Sequence, residues 1–143
     1  MRTLIVFLIL FSIFLDNEEV TFAQKGEYAT ISGSFVHHRS FDLMAESLVI
    51  HDVLTKAGAD HTAHLFFHLA EGVCVSEKEG AIEIGSADVV LKLSFETERG
   101  IEMNVVDDTV SPSYGVLKSS KTIAVTLDFA EKAEIITKFT VIR

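Results

Sequence analysis

From residue 24 onward this 143-residue chain shows no convincing helical period; its apolar residues recur instead at every second position. In "SFVHHRSFDL" the alternation puts Phe35, His37, Arg39, Phe41 and Leu43 on one side. The short "MAE" link leads into "SLVIHDVL", which reads as the returning arm of a hairpin. "GVCVSEKEGAIEIG" is two apolar arms around a polar turn at Glu77–Gly80. In "ADVVLKLSFETERGIEMNVVD", Val89, Leu91, Leu93 and Phe95 face one way before a turn near Glu98–Gly100. "TIAVTLDF" and "AEIITKFTVI" close the chain, with Ile123, Val125, Leu127 and Phe129, then Ile135, Thr137, Phe139 and Val141, in register. Turn formers or charges separate these runs at spacings of about 8–12 residues, which predicts an all-β fold. About nine or ten short strands in that rhythm make an antiparallel β-sandwich.

The N-terminus reads differently. "MRTLIVFLILFSIFLDNEEVTFAQ" has Arg2 and then an apolar run from Leu4 to Leu15, broken only by Ser12. A bilayer span needs about 20 apolar residues, so the run is short for one. Thr21 and Ala23 offer small residues around a cleavage point. The expectation is an apolar signal-like helix in residues 1–23, cut after Ala23, with the sandwich domain in 24–143. An uncleaved N-terminal anchor and a buried apolar helix are the alternatives. Such a chain is periplasmic or secreted, and once cleaved it has no membrane segment.

The formal net charge of −9 disfavours nucleic acid and anionic membrane, since each phosphate would enter a repulsive field. It counts more weakly against a polyanionic glycan. Cys74 is the one cysteine, so no internal disulfide can form. Within the apolar "GVCVS" it reads as a buried small hydrophobe.

"HTAHLFFHLAEG" holds His61, His64 and His68, with the H-x-x-x-H spacing of a zinc-protease helix at 64 and 68. In a strand those two lie roughly 13 Å apart along the chain. Zinc needs ligand atoms within about 2.0–2.1 Å. The protease motif also requires a glutamate directly after the first histidine, where this chain has Leu65. No metal and no cofactor is expected. His37 and Arg39 share a face, and either Asp52 or Glu46 on the return strand could pair with them. His37, Arg39, His64 and His68 are the candidates for contact with a glycan or a neighbouring domain. No Gly-rich phosphate loop, G-x-S-x-G elbow or C-x-x-C is present, and no catalytic residue is assigned. Asp107-Asp108 reads as a solvated loop rather than a calcium site. With no tryptophan, and tyrosine only at 28 and 114, the chain is poor in sugar-stacking faces.

The order of segments resembles the C-terminal β-sandwich of the heparinase II/III-like polysaccharide lyases. The residues that carry the likeness are His38-Arg39, Ile50–Leu54 with Asp52, Gly58–His61, Phe67-His68-Leu69, Val73 and Ser111–Gly115. They are spread over roughly residues 30–143. The resemblance implies an exported relative of enzymes that cleave uronate-containing glycans by β-elimination. In that family the catalytic groups lie on an α/α-toroid domain and at its junction with the sheets, and the metal site lies in an earlier sheet region. None of them maps onto a motif here. The expected function is therefore an accessory domain, inactive alone, whose partners are a catalytic toroid domain or an anionic polysaccharide. Two alternatives stand beside it: a detached part of a working heparinase- or alginate-type lyase, and an unrelated secreted carbohydrate- or protein-binding sandwich.

Overall fold

A computed structural model describes residues 8–15, 18–20, 27–32, 35–78, 81–86, 89–98 and 100–142. All the regular structure among them is β: β1 (Leu8–Leu15), β2 (Glu18–Val20), β3 (Glu27–Ser32), β4 (Phe35–Leu43), β5 (Ser47–Leu69), β6 (Cys74–Lys78), β7 (Ala81–Ser86), β8 (Val89–Glu96), β9 (Ile101–Ser113) and β10 (Val116–Val141). Every pairing is antiparallel.

Two strands organise the rest. β5 has 23 residues and β10 has 26, far beyond the usual strand length of about 5–6. They pair with each other along most of their length, and both turn a corner together. Phe129 lies opposite His61 and Glu131 lies opposite Lys56, so residues 57–60 of β5 crowd against Ala130 alone. Extra residues on one strand bend a ladder and raise its twist. Gly58 at φ 93° and Glu131 at φ 65° take up the bend. His61 braces it: its Nε2–H donates to the Ala57 carbonyl at 3.0 Å, and its ring leans on Phe129 at 5.3 Å.

Beyond the corner each half joins a different layer. The second half of β5 and the first half of β10 form one layer with β1, β2 and β9. The first half of β5 and the second half of β10 form the other, with β3, β4, β8, β7 and β6. Strands that pass between sheets through a bulge are a known way to close a sandwich. The layers meet in an apolar core. Phe67 from the first touches Phe95 and Phe139 from the second, with ring centroids 6.0 Å apart in both pairs. The period-two pattern holds along β5, where Ala63, Leu65, Phe67 and Leu69 are buried and the residues between them are only partly covered.

Three sequence expectations need correction. Leu8–Leu15 forms β1, a strand pairing with Ala63–Leu69 of β5, and not the helix expected there. A run whose one polar residue is Ser12 has no periodicity to separate helix from strand, so the open edge of β5 decides it. Residues 1–7 and the Thr21–Ala23 cleavage region lie outside the described residues. Cys74 is exposed, because it opens β6 on the face opposite the buried Val73. Asp107 and Asp108 lie within β9, paired with Lys121 and Ser120 of β10, and not in a loop.

Candidate functional site

The candidate residues separate into two groups on opposite sides of the core. The first is set by the β4–β5 register, which puts Arg39 directly opposite Asp52 and His37 opposite Leu54. Residues two apart share a face, so imidazole and guanidinium both reach one carboxylate. His37 Nε2–H donates to Asp52 Oδ1 at 2.6 Å. Arg39 donates to both oxygens, Nε to Oδ1 at 2.5 Å and Nη2 to Oδ2 at 3.0 Å, as a two-pronged fork. All three side chains are sealed from solvent, His37 and Asp52 at 0% exposure and Arg39 at 1%. Phe35 stacks on the far side of His37 at 6.4 Å. Burial pushes the Asp52 carboxyl up, but the Arg39 charge and the hydrogen bonds from His37 and Arg39 outweigh it, so its pKa lies below the ordinary carboxylate value. Glu46, the other carboxylate considered for this role, is exposed in the β4–β5 turn.

His37 and Arg39 therefore face the interior and are not part of a surface with His64 and His68. The physical reason is pairing. A buried charge is tolerated when a counter-charge and hydrogen bonds replace its water.

The second group lies on the outer face of the other layer. His64 and His68 flank Phe66 in a row of near-parallel rings, with centroids 6.3 and 6.1 Å from the phenyl. Register puts Thr126 opposite His64 and Thr122 opposite His68. His64 Nδ1 meets Thr126 Oγ1 at 3.0 Å. The Thr122 hydroxyl donates to Asp108 Oδ2 at 2.5 Å, so its oxygen accepts from His68 Nδ1–H at 3.1 Å. That fixes the proton of His68 on Nδ1. Asp108 Oδ1 also accepts from the Thr109 amide at 2.8 Å. The Thr122 hydroxyl and then the Thr109 amide hold the Asp108 carboxyl below its ordinary value. With Phe66 between them, the two imidazoles do not converge. Among the described residues no three histidine, cysteine or carboxylate side chains gather where a metal ion could sit.

A third feature was not singled out in the sequence. An open depression of about 470 Å³ is lined by Glu96, Thr97, Glu98, Lys132, Ala133, Glu134 and Ile136. Lys132 sits 3.0 Å from Glu134, and the His51 ring lies 3.4 Å from the same carboxylate. Three glutamates around one paired lysine make this hollow hostile to a polyanion. Its residues come from β8, the link after it and the second half of β10, which lie far apart in sequence and show no local motif.

The family model for the heparinase II/III-like C-terminal region matches residues 12–139. The chain belongs to that family. No curated protein matches its sequence. Among solved structures, the heparan sulfate lyase HepC from Pedobacter heparinus shares the fold with a TM-score of 0.74 at 11% identity, over 91% of this chain and 23% of its own. The heparinase III-BT4657 gene product gives 0.72 at 14% identity, over 92% of this chain and 23% of its own. A further heparinase III structure gives 0.69 at 11%, over 91% and 23%. At such identities the likeness is one of fold, and this heparinase II/III-like C-terminal domain spans under a quarter of the length of those lyases. The matched residues include the buried Asp52 cluster, the Gly58–His61 corner and the outer row of His64, Phe66 and His68.

Proposed function

We propose that this chain is an exported accessory β-sandwich that supports the catalytic domain of a uronate-polysaccharide lyase and cleaves no glycan by itself. The observation that carries the reading is the fate of the ionisable candidates. β-Elimination needs a base for the C5 proton, an acid for the leaving oxygen and a group to neutralise the uronate. His37 and Arg39 are sealed inside around Asp52, while His64 and His68, on the outer face, are held by Thr126 and Thr122 on either side of Phe66 and do not converge on one point. The small share of each lyase that this fold occupies supports the same view.

The test is the full chain incubated with heparan sulfate, alginate and hyaluronan. We expect no rise in the ultraviolet absorbance of unsaturated uronate, and a sustained rise would overturn the accessory role. Glycan contact through His64 and His68 is the weaker form of the proposal, because the chain is acidic and lacks tryptophan.

Export and the division at residue 23 belong to the proposal too. Cleavage after Ala23 would leave residues 24–143 as the working domain and open the edge of β5 that β1 pairs with. N-terminal sequencing of protein recovered from the host separates the outcomes. Gln24 at the start supports cleavage, whereas a start before Leu8 replaces it with a domain that keeps β1.

A further inference from the structure

The stretch "VDDTVSPSYGVLKSSK" does something the sandwich does not require. Pairing between β5 and β10 ends at Thr122 opposite His68. From Lys121 to Val116, β10 has β9 as its ladder partner, out to Val116 opposite Ser113. That makes a two-stranded ribbon reaching about 20 Å past the last β5–β10 pair, at roughly 3.4 Å per residue. Gly115 at φ 74° closes the tip, and the Ser111 hydroxyl donates to the Ser113 carbonyl at 2.8 Å. The base is tied by Lys121 to Asp107 and by Thr122 to Asp108.

The tip is apolar and wet. Tyr114 is fully exposed, Leu117 is 74% exposed and Val116 is 36% exposed. An isolated two-stranded ribbon is marginal in water, and grouped apolar side chains at its end gain nothing there. Tyrosine and leucine grouped on a projection suit insertion into another surface, and tyrosine is among the residues that most often anchor interfaces. Charge agrees: between Thr109 and Ser119 the only charged residue is Lys118, in a chain whose net charge is −9. The tip is a neutral-to-basic spot on an acidic protein.

We propose that the β9–β10 ribbon is a docking arm, with Tyr114, Val116 and Leu117 seated in an apolar recess with a neutral or acidic rim on the lyase-type catalytic domain. This rests on the accessory-domain reading. The lyases of the same fold are chains of which such a sandwich covers only 23%, so a sandwich of this kind works beside a much larger body.

The experiment places a photo-crosslinking amino acid in the full chain, in its own host, at position 114, 117 or 138. Lys138 serves as the control, being exposed on the second half of β10. Irradiation should join positions 114 and 117, but not 138, to a polypeptide that peptide mapping identifies as a lyase-type catalytic domain. The double variant Tyr114→Ser, Leu117→Ser should fold as the parent does and weaken that association at least about tenfold, as expected for anchor residues. Adducts to the same catalytic polypeptide from 138 alone would refute the arm while leaving the accessory reading intact. Adducts to a second copy of this chain alone would make the ribbon a self-association surface and refute docking. If no position yields a catalytic polypeptide, both readings fail.

Discussion

Replacing Asp52 with alanine is expected to destabilise the protein by about 3–5 kcal/mol, the range for breaking a buried ion pair from one side. That is a large part of the roughly 5–15 kcal/mol that holds a domain together. The loss arises because Arg39 and His37 stay in the core without the carboxylate that both of them bond. Urea unfolding at neutral pH measures it, as a fall in midpoint with an unchanged slope. Replacing His37, Arg39 and Asp52 together by apolar residues of similar volume should cost far less, since no charge is then stranded. A single-variant loss below about 1 kcal/mol would show that the cluster is hydrated rather than sealed.

The same group sets an acid limb. Asp52 in the unfolded chain titrates near 3.8 and in the folded chain below that value. Its contribution is therefore complete above the unfolded value and is lost as pH falls through the folded one. The Asp52→Ala protein should lack this component of acid unfolding.

Phe67→Ala is the second large effect, expected at about 3–5 kcal/mol from lost burial and the cavity left behind. Phe67 is 1% exposed and joins the layers through Phe95 and Phe139. The adjacent Phe66 points outward between two imidazoles. Phe66→Ala should cost clearly less in the same urea titration. Equal losses would mean that β5 does not present alternate residues to core and surface.

That alternation is legible in the amino-acid order itself. Val–Leu–Phe periodicity marks the strands of β4, β8 and the two halves of β5 and β10, and with them the sandwich. The corner is not legible in the same way. "SLVIHDVL" and "HTAHLFFHL" read as separate strands, yet the ladder runs on from one to the other through Gly58. Only the tertiary register shows that four residues of β5 crowd one residue of β10. The interior place of His37 and Arg39 is half legible. Phe35 and Phe41 on the same side mark that face as apolar, but charge suggests the surface. Its resolution lies in Asp52, whose position opposite Arg39 makes burial tolerable. The N-terminal run misleads for another reason, since an apolar stretch interrupted by a single serine carries no period. The ribbon cannot be seen in the sequence either, because exposure depends on where β5 stops.

For the accessory role, the decisive assay compares two preparations side by side on heparan sulfate, alginate and hyaluronan. One is the purified chain, and the other is the assembly captured from the host with an antibody against residues 35–142. An accessory domain should give no unsaturated uronate alone and clear β-elimination on one of the glycans from the captured assembly. Lyase activity in the isolated chain, or none in any assembly that contains it, would rule that role out.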